Sequence, residues 1–175
     1  TFRRLRWTLM PVMDFFRSVP TVALVPIFVS LFGFGNETRV VSIAVASVFP
    51  IAIATMDGVR GLDRVRHDVA TVFRLGPVER MIRVNLPGAS PMLFSGLQVG
   101  LQYAFIVMIA SEMLGISVGI GAITLESQQT FRMADMWAGI LLLGVIGYLI
   151  NLLFLLVRRF VLRWYFASQR VRRAG

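Results

Sequence analysis

Residues 57–87 form an arginine-rich polar segment between two long apolar runs, and this alternation constrains the fold more than any other feature of the chain. The segment reads DGVRGLDRVRHDVATVFRLGPVERMIRVNLP and holds six of the 18 basic residues, all of them Arg. One charge at a bilayer centre costs roughly 2.5 to 3.5 kcal/mol, so this segment cannot cross a membrane. The runs beside it are suited to do so. With 57% hydrophobic and 15% charged residues, the chain lies outside the soluble globular norm.

Four spans can be drawn, over 12–34, 40–56, 92–114 and 136–157. Each is near the roughly 20 apolar residues needed to cross about 30 Å of hydrocarbon. The fourth is the cleanest, interrupted only by Asn151. Pro11, Pro20 and Pro26 punctuate the first, because a helix-interior proline removes a hydrogen bond and kinks the axis. Residues 9–18 therefore read as a short interfacial helix with an Asp14–Arg17 pair, and 20–34 as the span proper. GFGN at 33–36 predicts a tight turn, with Asn36 capping the second span. The chain opens on Thr1, without Met or a signal peptide, and further N-terminal helices are expected ahead of it.

The positive charge settles the expected topology. Arg3, Arg4, Arg6 and Arg17 flank the first span. The six arginines of 57–87 follow the second. Arg158, Arg159, Arg163, Arg170, Arg172 and Arg173 follow the fourth. Only Arg39 and Arg132 fall on the opposite side. The positive-inside rule then places both ends and the 57–87 segment in the cytoplasm. The net charge of +9 reflects this clustering, so nucleic acid is not an expected partner. The absence of Cys excludes disulfides and thiolate chemistry. The one histidine, His67, lies in the charged segment and reads as a solvated surface residue. Nothing resembles a paired-carboxylate, Ser-His-Asp or metal cluster, so the chain is not expected to be an enzyme. Gly96-x-x-x-Gly100 and Gly144-x-x-Gly147 carry small residues at helical spacing, which lets helix backbones approach closely.

Within 57–87, Val65, Val69, Val72 and Phe73 make one apolar helical stripe, with Asp63 placed to cap its start. Gly76-Pro77 is expected to end that helix and begin a second, along which Val78, Met81 and Ile82 are the apolar positions. Leu86-Pro87 is expected to close the hairpin. On pattern alone, such a hairpin either lies on lipid headgroups or meets a cytoplasmic partner. In the third span, Gln98 and Gln102 share a face, and Glu112 lies near the outer end beside Gly115, Gly119 and Gly121. Polar groups at that depth line an aqueous path or gate, or else bond helix to helix. ISVGIGAITLESQQTF reads as a short re-entrant or interfacial helix on the outer side.

Asp68-Val69-Ala70, followed at fixed distance by Val84-x-Leu86-Pro87, resembles the EAA loop of permease subunits of binding-protein-dependent ABC importers. The likeness extends through RSVPTVALVPIFVSLFGFG, FPIAIATMDGVRGLD, LPGASPMLFSGLQVGL and IASEMLGISVGIGAI, and covers nearly the whole chain. It is nearest the branch handling taurine, aliphatic sulfonates, nitrate and related small solutes. Asp68 stands for the family's Glu, Val69 for its first Ala, and Arg74 where the loop glycine is expected. The resemblance implies an all-α MetI-like permease, one domain over 1–175, with 57–87 as its cytoplasmic coupling loop. It also implies that Asp68, Val69, Ala70, Arg74, Gly76, Pro77, Leu86 and Pro87 couple to the ATPase. The implied partners are two cytoplasmic ATPase subunits, which hold ATP and Mg, a second permease subunit, an extracytoplasmic solute-binding protein, and membrane lipid. The second permease could be identical or different. With no phosphate-binding loop and no Lys, ATP chemistry is expected in another polypeptide. The alternative readings are an ion-driven secondary transporter or channel, and a non-transporting scaffold. The first would place a charged or broken-helix site at mid-membrane.

Overall fold

The computed structural model describes residues 19–116, 118–163 and 165. A 3-10 turn, Thr21–Leu24, leads into α1, Val25–Phe32. Then come α2, Asn36–Arg60, α3, Arg64–Val72, and the long helix α4, Pro77–Met113. The last two are α5, Ile120–Gln129, and α6, Met133–Val161. Three of these, α2, α4 and α6, are long and apolar enough to cross a membrane. They take in the expected second and fourth spans and extend both at each end, while α4 extends the third toward its start and stops at Met113, one residue short of the expected end. The expected first span is represented by Thr21–Phe32, too short by itself to cross. Residues 9–18, with their expected Asp14–Arg17 pair, lie outside the described residues. Asn36 is the first residue of α2 rather than its cap. The turn before it is held by Thr38 Oγ1, which donates to the Gly33 carbonyl at 2.5 Å.

One expectation is corrected at Leu86-Pro87. The proline does not end a hairpin: α4 runs unbroken through it from Pro77 to Met113. Pro87 has no N–H for the carbonyl four residues back, and its ring crowds that carbonyl. A π-helical turn over Met81–Asn85 widens the helix just ahead of it and absorbs the mismatch. Pro91 in turn cannot donate to the Pro87 carbonyl. The Ser90 hydroxyl donates to it instead, at 2.8 Å. Other hydroxyls are likewise satisfied inside their own helices, as with Ser42 to Thr38 at 2.6 Å and Thr55 to Ile51 at 2.7 Å. Such bonding is what a low-dielectric surround demands.

The chain divides into two compact units. The first comprises residues up to Phe49 together with Gly100–Ile150. Its core is Val25, Ala46, Val107 and Ile116, with Val29 and Ile43 packed against them. Gly147 meets the Phe105 ring here, where a Cβ would stand 3.0 Å from it. The second unit comprises Pro50–Val99 and the chain from Asn151 onward. In it α2 and α4 approach backbone to backbone at Gly96, where a Cβ would lie 3.2 Å from the Pro50 carbonyl oxygen. The small-residue spacing at Gly96 thus serves helix packing.

Candidate functional site

α3 starts where Asp63 predicts, its carboxylate accepting the Val65 N–H at 3.4 Å. The helix packs against the Met81–Asn85 turn of α4. Among its apolar residues only Ala70 is buried, while Val65, Val69 and Val72 on the helix and Phe73 just beyond it are exposed. Asp68 is exposed as well. The apolar stripe read from the sequence is therefore turned away from the rest of the chain.

The end of α3 departs from expectation. Leu75 N–H donates to the Ala70 carbonyl and Arg74 N–H to the Thr71 carbonyl, both at 3.0 Å. This is the Schellman arrangement, whose turning residue takes left-handed backbone. Here that residue is Arg74, with φ of +48°. Gly76, expected to make the turn, has φ of −62° and leads into Pro77, the first residue of α4. Position 74 has a geometric reason to be glycine, and Arg bears the steric penalty there.

In the second unit, Gln98 Nε2 donates to Asn151 Oδ1 at 3.0 Å. Arg158 Nη1 donates to Gln98 Oε1 at 3.2 Å, and Nη2 to Ser95 Oγ at 3.3 Å. All four residues are partly buried. Arg158 makes no ion pair among the described residues, and its Nε is buried without a hydrogen-bond partner. Phe94 and Phe154 lie nearby in sequence on the same two helices, with ring centroids 6.3 Å apart.

In the first unit, Gln102 is exposed, and its side chain makes no hydrogen bond among the described residues. Glu112 is the opposite case, only 6% exposed. Its Oε2 accepts the Gly121 N–H at 2.9 Å, in the first turn of α5, and its Oε1 lies 3.7 Å from Arg39 Nη2. A carboxylate there satisfies free amides at a helix start and meets the positive end of its dipole. A Cβ on Gly119 would overlap that carboxylate, which explains the small residue at this position.

Of the three polar positions singled out in α4, Gln98 and Glu112 are thus engaged in hydrogen bonds between elements, and Gln102 is open. Sequence reasoning missed Ser95, Arg158 and Arg39 as site residues and treated Asn151 as an interruption. A usable signal existed: Asn151 and Arg158 are seven residues apart, two turns on one helical face.

Residues 1–166 match the family described as "Binding-protein-dependent transport system inner membrane component". The bicarbonate transport system permease protein CmpB of Synechococcus elongatus is 31% identical over 92% of this chain. The taurine transport system permease protein TauC of Escherichia coli is 27% identical over 91%. The chain spans 58% of the length of each of these relatives. Among solved structures, a chain from inward-facing MetNI methionine ABC transporter superposes with a TM-score of 0.76 at 20% identity, covering 91% of this chain and 76% of that one. This likeness establishes the fold as the MetI-like permease fold. The match over nearly all of its length places the chain in the family of inner-membrane components of binding-protein-dependent transport systems.

Proposed function

We propose that this chain is a permease subunit of an ABC importer, forming with a second permease subunit the path of a small anion such as a sulfonate, nitrate or bicarbonate. Relatives named for taurine and bicarbonate transport support the anion class. ATP, with Mg, is hydrolysed by two partner ATPase subunits, and an extracytoplasmic binding protein delivers the solute. The observation that carries this reading is the outward-turned apolar stripe of α3, on a capped helix set between membrane-spanning helices. Exposed apolar side chains on a polar, non-spanning segment call for a partner.

In this reading the arginine-rich side is cytoplasmic, and α3 with its turn meets the ATPase. Asp68, Val69, Ala70, Arg74, Gly76 and Pro77 form that contact, while Leu86 and Pro87 fix its register on α4. ATP-driven closure of the ATPases moves α3 and, through the Met81–Asn85 turn, α4, shifting the permease between inward- and outward-facing states. Gln102 faces the path, since an amide left open to hydrocarbon would be costly. Glu112 holds α5 as part of the outer closure.

Val69→Asp with Phe73→Asp places two charges on the stripe without touching the Asp63 cap. The ATPase is expected to be lost from the purified complex, and transport with it. Full copurification together with normal uptake would sink the coupling role.

A further inference from the structure

We propose that Arg158, Gln98, Ser95 and Asn151 form an oxyanion-binding site, and that its occupant is the anionic group of the transported solute. The inference rests on the importer reading above and adds to it a recognition site within the chain.

A guanidinium carries five N–H donors and one full charge. Two of those donors are used here, on the neutral oxygens of Gln98 and Ser95 at 3.2 and 3.3 Å. Neither oxygen neutralises the charge. Ion pairs exist elsewhere among the described residues, but none involves Arg158. An arginine serving only to mark the cytoplasmic end of a span would extend to water or headgroups. This one is drawn onto α4, with its Nε buried and unpaired. A partly desolvated cation without a counter-charge invites an anion.

The surrounding groups are fixed so as to hold the cation rather than compete for its ligand. The Gln98 amide is oriented by its bond to Asn151, which turns Oε1 toward the guanidinium. The Ser95 hydroxyl hydrogen is committed to the Pro91 carbonyl at 3.0 Å, leaving its oxygen to accept from Arg158. One donor remains on each of Nη1 and Nη2, while the Nε–H is enclosed by the chain. A planar fork of this kind suits the paired oxygens of sulfonate, nitrate or bicarbonate. Arg158 closes the α6 span on its arginine-rich side, so the site belongs where solute leaves toward the cytoplasm.

The shared chemistry is an oxyanion, and a phospholipid headgroup could also supply it. Uptake of radiolabelled nitrate, bicarbonate and ethanesulfonate into proteoliposomes holding the complete transporter separates the sources, alongside native mass spectrometry for bound anionic phospholipid. Arg158→Gln keeps amide donors for Gln98 and Ser95 but removes the charge. It is expected to lower uptake of the carried anion by about tenfold or more, as loss of a charge-assisted contact implies. Arg158→Lys, which keeps the charge without the fork, falls between. Ser95→Asp sets a carboxylate beside Nη2 and neutralises the cation in place, so the same loss is expected even if Arg158→Gln fails to assemble. Wild-type uptake by Ser95→Asp, or by Arg158→Gln, overturns the proposal. So does normal uptake by Arg158→Gln with loss of a bound phospholipid, which would assign the site to a headgroup. If the wild-type transporter carries none of the three anions, the importer-of-anions reading itself fails, before any variant is compared.

Discussion

Arg74 occupies a backbone conformation suited to glycine, and the motif around it recurs along the chain. Gly115 turns the end of α4 with φ of +78°, and Phe131 turns the end of α5 with φ of +55°. At each, the flanking N–H groups reach back to the same pair of carbonyls, as in Ile116 to Ser111 at 3.1 Å and Arg132 to Ser127 at 2.8 Å. Three helices therefore end alike, and only one uses the residue that does so without steric cost. Arg74→Gly is expected to stabilise the protein by about 1 kcal/mol, the usual penalty for a Cβ in this region. Chemical denaturation of the purified protein in detergent measures it. Arg74→Ala keeps the strained Cβ and should gain nothing. An unchanged midpoint for Arg74→Gly would mean that the αL turn at 74 carries no strain. Glu112, which the sequence leaves between a path lining or gate and a helix-to-helix bond, is held by what it touches. Its partners, Gly121 N–H and Arg39, lie nine and 73 positions away, beyond the reach of local pattern.

At the scale of elements, hydrophobic run length made α2, α4 and α6 legible, because crossing a bilayer fixes the length of an apolar helix. The capped start of α3 and the helix at α5 were equally readable, since both depend on neighbours in sequence. The continuity of α4 was not. Proline usually marks a boundary, and nothing local announces that a π turn at Met81–Asn85 absorbs Pro87 while Ser90 replaces the donor missing at Pro91. The Arg158 cluster was hidden for a related reason: its members come from two helices some 60 residues apart, and topology already accounted for the arginine. The Ser90 bond has a direct consequence. Ser90→Ala leaves the Pro87 carbonyl without a donor and should cost about 1 to 2 kcal/mol. Restoring the N–H with Pro91→Ala should remove most of that cost. A double-mutant cycle measured by thermal unfolding in detergent would show it, and additive effects would mean that the hydroxyl does not substitute for the missing amide.

At the scale of the molecule, many large apolar side chains among the described residues are exposed. None of the most apolar stretch of α6 is buried within the chain, and Leu141, Leu149, Leu153 and Phe160 are exposed along it. In a membrane, lipid tails or further protein cover such a surface. Inside lipid the hydrophobic effect gives helices little reason to associate, so packing falls to close approaches such as that of Gly96 in α4 to the backbone of α2. Sidedness then becomes the property that separates the proposed importer from other readings, because α3 must face the compartment that holds ATP. The sequence contains no Cys, so single cysteines report accessibility without background. Val78 and Val118 are well placed for this, being 71% and 90% exposed on segments outside the apolar runs. A membrane-impermeant maleimide added to intact spheroplasts should label Val118→Cys and spare Val78→Cys until the membrane is opened. Arginine asymmetry predicts this outcome, since sixteen of 18 arginines fall in the flanking segments that the sequence assigns to the side of Val78. The opposite labelling would put α3 on the outer face, beyond reach of any cytoplasmic ATPase, and would exclude the coupling role whatever the stripe touches.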